Sequence, residues 1–296
     1  MQTKLEKISI LQAIKLKIED YKILVKNGLT SFLVICSVIA YLIVANGPID
    51  WVKVLVFTIG GYLVTGAANA LNQVLEKEYD GIMNRTKVRP LVTGRMLSSE
   101  AVLAAGLMML VGVGLLSTFN ALTGVLAMLS LISYAFIYTP LKRVSSISVF
   151  VGAIPGALPM LIGSAAAEGH LSWLGFTLFS IQFLWQFPHF WAIAWLGHED
   201  YTKAGYRMLP SENLDGNVGF YAFVYALFLI PVGLLPMYMG ATGLISAFVM
   251  TVIGIVFSYY GWRLHIECTK EAARKLMFAS FFYLPIALIV LVLDKL

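Results

Sequence analysis

Apolar runs of about 20 residues recur along this chain, and nothing else in the sequence narrows its fold so far. Nine can be marked, at roughly 28–46, 53–72, 100–118, 121–140, 147–165, 172–196, 218–238, 242–262 and 276–293. A helix rising about 1.5 Å per residue crosses a hydrocarbon core of about 30 Å in such a length. Only helices and closed barrels satisfy their backbone in lipid, and these runs are too continuous for alternating barrel strands. Composition agrees: 59% of residues are hydrophobic and 12% charged, against about half and a quarter in soluble domains. That excludes a soluble globule, a disordered chain and a fibrous protein.

The charges orient the spans. Of 21 Lys and Arg, 19 fall in the N-terminal segment or in the second-to-third, fourth-to-fifth, sixth-to-seventh and eighth-to-ninth connections. Only Lys53 and Lys295 fall on the other side. The positive-inside rule then predicts an all-α polytopic bundle of nine transmembrane helices, N-terminus cytoplasmic and C-terminus outside. The inner connections are also the longer and more polar ones, so function is expected at the cytoplasmic membrane face. A net charge of +5 is read as membrane orientation and lipid contact, with no nucleic-acid partner. Cys36 and Cys268 lie far apart and have no metal or disulfide spacing.

Residues 1–296 read as one membrane domain. Within 1–26, Leu5, Ile8, Leu11, Ile14 and Ile18 recur at helical spacing among lysines. This predicts an amphipathic helix on the inner leaflet; a disordered basic tail is the alternative. With Glu6, Glu19 and Asp20 and no apolar core before a cleavage site, the segment is not a secretory signal.

The second apolar run exits the membrane as AANALNQVLEKEYD. Asn72, Glu76 and Asp80 stand four apart and Asn69 three before, so all four share one helical face. Amide and carboxylate oxygens suit Mg²⁺, which takes one or two carboxylates plus substrate phosphate. A solvated helix end is the other reading, and it is the one adopted for Glu78, which faces away. Arg85, Lys87, Arg89 and Arg95 follow at once. They are either orienting anchors or a clamp for a diphosphate.

The sixth run carries WQFPHFWAIAW and ends in GHEDYTKAGYRMLP. Pro188 is expected to kink it. His189 is either a functional intramembrane residue or a satisfied structural one. The surrounding Trp and Phe side chains suit a flat aromatic ligand or an interfacial belt. Asp200, with Lys203 three residues on, stands at the cytoplasmic mouth and is a candidate to hold a second magnesium facing the first stripe. His198 and Glu199 read as solvated. His170 and His265 read as loop residues without a role.

On these residues the chain resembles the intramembrane prenyltransferases of the UbiA superfamily. N-x₃-E-x₃-D followed by RTKVRP is similar to that family's first signature, usually N-x₃-D-x₃-D. WQFPHFWAIAW with DYTKAGYRMLP resembles the branch that farnesylates haem. The resemblance spans most of the chain. It implies Mg²⁺ at Asn72, Glu76, Asp80 and Asp200, and a diphosphate on Arg85, Lys87, Arg89 and Lys203. It also implies haem near Asn69 and His189. Glu76 departs from the commoner Asp, keeping the charge but lengthening the reach. The second acidic motif is reduced to Asp200 beside Glu199. Lys26-Asn27-Gly28 lacks the Pro-Arg often found before the first helix.

The implied reaction takes farnesyl diphosphate as donor and haem B as acceptor, in a cell inner or plasma membrane. A downstream haem A synthase or terminal oxidase assembly would receive the product. A quinone-precursor prenyltransferase, acting on hydroxybenzoate or naphthoate, would share the Asn72 stripe without needing the PHFW segment. A non-catalytic haem carrier or transporter is the alternative of another class, and a transporter of this size often shows paired broken helices in its two halves. The prolines here make no such pair.

Overall fold

A computed structural model describes residues 10–211 and 213–296, and over these it is helical without a named strand. The helices are α1 (Ile10–Leu24), α2 (Asn27–Val44), α3 (Trp51–Leu75), α4 (Lys77–Ile82), α5 (Ser98–Ser117) and α6 (Ala121–Ile132). A π-helical turn, Ser133–Tyr138, leads to α7 (Thr139–Leu141), α8 (Ser148–Glu168), α9 (Trp173–Leu196) and α10 (His198–Lys203). The chain closes with α11 (Gly216–Tyr238), α12 (Leu244–Glu267) and α13 (Lys270–Leu293). Eight helical stretches are long and apolar enough to cross a membrane, with α6, the π turn and α7 forming one of them. The segment expected at 172–196 is the 24-residue helix α9. It is not among the eight, because Trp, Gln, Pro and His lower its hydropathy.

The ends follow local chemistry. Asp50, Asn120, Ser172, Asp215 and Thr269 each accept a backbone N–H in the first turn of the helix they precede, satisfying donors that otherwise lack a partner. Pro188 lies inside an unbroken α9. His265 sits in the last turn of α12 rather than in a loop, and its Nδ1 lies 2.8 Å from Gly216 O.

Packing divides the bundle in two. One core joins α3, α5 and α6, the other α9, α11, α12 and α13, and α8 contributes to both. α8 is accordingly the most buried span. α3 and α5 approach closely where Gly60 faces Gly112. A Cβ at Gly112 would lie 2.9 Å from Leu63 Cβ and 3.0 Å from Gly60 O, so small residues set that spacing. Large apolar side chains such as Leu103, Leu110, Phe248 and Phe282 face outward, as a lipid solvent requires.

α1 lies against the bundle at the end where α3 terminates. Gln73 Nε2 donates to Ile23 O and Leu24 O at 2.7 and 2.8 Å. Arg95 pairs with buried Asp20 at 2.9 Å, and Tyr21 donates to Glu100 at 2.9 Å. Ile10, Leu11, Ile14 and Ile18 remain exposed. Leu5 and Ile8, also assigned to this amphipathic face, lie outside the described residues. At the opposite end Lys295 donates to Leu42 O at 3.0 Å and to Ala45 O. One of the two basic residues on the sparse side is thus a cap for α2.

Candidate active site

The carboxylate stripe survives a dent in its helix. α3 stops at Leu75 and α4 starts at Lys77, with Glu76 between them at φ −101° and ψ 6°. The ladder nonetheless continues, Glu76 N to Asn72 O at 3.0 Å and Asp80 N to Glu76 O at 2.8 Å. Asn69, Asn72, Glu76 and Asp80 are all buried, whereas Glu78 is exposed. The spacing argument therefore separates the face correctly.

Buried carboxylates need partners, and they take Arg89, one of the expected clamp residues, and Lys142, which the sequence offered only as a membrane anchor. Glu76 forms an ion pair with Lys142, which follows α7. Asn72 donates to Glu76 Oε2 and to Thr139 Oγ1, each at 2.9 Å. Asn72 Oδ1 accepts from Lys26 Nζ at 2.7 Å. Asp80 Oδ2 pairs with Arg89, while buried Asp80 Oδ1 has no hydrogen-bond partner. Lys26 also reaches Tyr134 Oη at 3.2 Å, and Tyr134 donates to Asn69 Oδ1 at 3.3 Å. Lys26 adopts a left-handed backbone, φ 49°, at the corner between α1 and α2. Such a conformation in a residue other than glycine is strained and clusters at functional sites.

Electrostatics follow from crowding charge into a water-poor pocket. Burial, together with the Arg89 and Lys142 cations, pulls the Lys26 ammonium down to about 7. Burial also lowers Lys142 against the pull of Glu76. Burial works to raise Glu76, but Lys142 and Lys26 hold it below the usual carboxylate range. Burial raises Asp80, outweighing Arg89.

The expected clamp is only partly assembled. Arg89 touches the stripe. Lys87 donates to Asn84 Oδ1 at 2.9 Å, and Asn84 Nδ2 donates to Asp200 Oδ1 at 3.1 Å, so Asn84 ties the α4 end to α10. Arg85 and Lys203 are exposed and are not brought onto the carboxylates. Glu199 is exposed and pairs with Lys270 at 3.3 Å. Sequence reasoning missed Lys26, Tyr134, Thr139, Lys142 and Tyr206. Lys26 and Tyr206 lay inside quoted segments but were given no role; the Tyr206 ring faces Lys142 Nζ at 5.4 Å, and its hydroxyl is buried without a hydrogen bond.

Of the stripe, Asn69 lines a cavity of about 420 Å³, largely apolar, that reaches from Asn69 and Tyr134 to Trp185, His189 and Phe281. His189 stacks on Trp185 with centroids 4.6 Å apart and planes 17° from parallel. Its Nδ1 lies 2.8 Å from Ser280 Oγ. Asn69 and Tyr134, which bond to each other and through Tyr134 to Lys26, are the residues that this aromatic-walled room shares with the charged pocket.

Oxygen donors on the stripe fit a magnesium ion in kind, and Asp80 Oδ1 is a buried acceptor still open. Among the described residues no three His, Cys, Asp or Glu side chains close a metal cage by themselves.

The description "UbiA prenyltransferase family" matches residues 33–284. A protoheme IX farnesyltransferase from Cytophaga hutchinsonii is 43% identical over 281 residues, covering 94% of this chain and 98% of that one. Among solved structures, a digeranylgeranylglyceryl phosphate synthase superposes with a TM-score of 0.80 at 20% identity, covering 94% of this chain and 98% of that one. A UbiA homolog from Archaeoglobus fulgidus bound to GPP and Mg²⁺ gives a TM-score of 0.64 at 12% identity, covering 92% and 99%. The bundle is shared with structures of distant sequence, and the sequence itself is shared along nearly the whole of a relative, so this chain belongs to the UbiA prenyltransferase family.

Proposed function

We propose that this prenyltransferase makes haem O, transferring a farnesyl group from farnesyl diphosphate to a vinyl group of haem B. The observation that carries this reading is the aromatic-walled cavity that runs from Asn69 and Tyr134, next to the charged pocket, to His189. In this reading the cavity takes the prenyl chain and the flat ring, and the diphosphate lies beside it among the charges around Asn72 and Glu76. The 43% identical relative named protoheme IX farnesyltransferase supports the choice of acceptor.

In this reading Arg89, Lys142 and Lys26 take the diphosphate oxygens, with Arg85, Lys87 and Lys203 supplying charge from the exposed rim. The C1–O bond of the donor breaks and its electron pair leaves with the diphosphate. The terminal vinyl carbon bonds to C1, leaving a cation on the carbon attached to the porphyrin. Water adds there and loses a proton, giving a hydroxyethylfarnesyl side chain. The aromatic walls keep bulk water from both cations until that point. Asn72, Glu76, Asp80 and Asp200 would hold magnesium, which supplies charge neutralisation for the departing diphosphate. Asn69 and His189 meet the haem.

With α9 counted as a ninth crossing the two termini lie on opposite sides, and the concentration of Lys and Arg on one side supports a cytoplasmic N-terminus with its 1–26 amphipathic segment. The active site then faces the cytoplasm from the plasma membrane, and haem A synthase or a terminal oxidase receives the product. A reporter that is active only outside the membrane should work when fused after Leu296 and fail when inserted within 85–95. Activity at the inner loop alone, or at both places, overturns that orientation.

The acceptor is tested with purified protein, labelled farnesyl diphosphate and three candidates: haem B, hydroxybenzoate and a naphthoate. Label should appear in haem only. Prenylation of hydroxybenzoate or naphthoate instead makes this a quinone-precursor enzyme, and haem binding without any transfer makes it a carrier.

A further inference from the structure

Ser280 on α13 contacts the two rings that matter most at the far end of the cavity. Its backbone carbonyl accepts from Trp185 Nε1 at 2.8 Å. Its hydroxyl lies 2.8 Å from His189 Nδ1 and 2.5 Å from Met277 O. Ser280 is fully buried, so water does not compete for these bonds.

A serine hydroxyl carries one proton and accepts through its lone pairs. Met277 O can only accept, and at 2.5 Å it is the nearer partner, so the hydroxyl proton goes there. Ser280 Oγ then faces His189 as an acceptor, and Nδ1 must carry the imidazole proton. That leaves Nε2 unprotonated. Nε2 makes no hydrogen bond among the described residues, and His189 lines the central cavity. Stacking on Trp185 and the edge contact with Phe281, at 5.3 Å and 61°, fix the plane in which the lone pair points.

An imidazole whose Nδ1–H is held by an oxygen and whose Nε2 is bare is the arrangement that metal-ligating histidines use. We infer that Ser280 is a positioning residue that locks His189 in the Nδ1–H tautomer, so that Nε2 is the axial ligand to the iron of the bound porphyrin. The bond that forms is a dative N–Fe bond; no proton or electron moves. Ligation would fix the height and tilt of the macrocycle, and with them the place of the vinyl carbon. This inference rests on haem being the acceptor.

The test uses full-length protein in lipid nanodiscs titrated with haem B, read by absorbance and, after reduction, by the iron–histidine stretching band in resonance Raman spectra. The wild type should show a histidine-ligated haem, and His189→Ala should lose that signature. Ser280→Ala should weaken haem binding on the order of tenfold or more, the usual scale for losing an outer-shell partner. It should also shift the iron–histidine band, while pyrophosphate affinity and the melting temperature stay near wild type. Ser280→Thr, which keeps the hydroxyl, should restore band and affinity. If Ser280→Thr melts early, the band shift in Ser280→Ala decides alone, because loosened packing does not remove a bond at Nδ1. An unchanged band and affinity in Ser280→Ala overturn the role of Ser280. Haem bound equally well, with the same spectrum, in His189→Ala overturns ligation while leaving haem as the acceptor. A wild type that neither binds nor prenylates haem overturns the underlying reading.

Discussion

Replacing Asp80 by alanine should lower turnover on the order of 10²-fold or more, the scale of removing a metal ligand at a transition state. The same change at Glu78, two residues earlier, should leave it near wild type. Asp80 is 1% exposed, with one oxygen on Arg89 and the other open. Alanine there removes an oxygen donor and leaves Arg89 without its counter-charge. Glu78 is exposed and has no part in the stripe. Initial rates of labelled farnesyl transfer across a magnesium titration check the pair. Equal and mild losses would mean that this helix end is merely solvated.

Lys142→Met should have an effect of similar size, with a second component in stability. The ammonium is the ion-pair partner of Glu76, and both side chains are largely buried. Removing one partner of a buried pair strands the other charge, at a cost of about 3–5 kcal/mol. The double variant Lys142→Met/Glu76→Gln no longer strands a charge, so it should recover most of the melting temperature. It should not recover turnover, because the cation proposed for the departing diphosphate and the carboxylate proposed for the metal are both gone. Melting curves and rates on the two variants separate these components. Recovery of both in the double variant would place the pair outside the chemistry.

The two predictions differ in how far the sequence announced them. Asp80 was legible because helical periodicity needs only spacing, and the dent at Glu76 keeps the i to i+4 bonds intact. The long helices were legible for a similar reason: hydropathy over about 20 residues averages away local detail. Lys142 and Lys26 were not. In sequence each is one more basic residue at a membrane boundary, and the charge asymmetry already accounts for it. What sets them apart is contact with Asn72 and Glu76, far along the chain at the end of α3 and just after it, and tertiary packing decides that. Spacing alone does not tell the three basic residues after α4 apart either. Arg85, Lys87 and Arg89 are neighbours in sequence, but only Arg89 turns inward. Ser280 was invisible because serine in an apolar helix is ordinary until a histidine is seen beside it.

The π turn at Ser133–Tyr138 has a consequence for how this chain tolerates insertion and deletion. There Thr139 bonds back to Tyr134 O through both its N–H and its hydroxyl, spanning five residues instead of four. Such a turn holds one residue more than an α turn, and one residue rotates a helix by about 100°. Upstream, Ala127 and Leu131 pack in the core with α3; downstream, Thr139 and Lys142 serve Asn72 and Glu76. Both registers fit only because the extra residue absorbs the angular mismatch. Deleting one residue anywhere in the turn would force a choice between them. A hydropathy profile would scarcely register the loss, yet either the packing or the charged pocket would be turned to the wrong side.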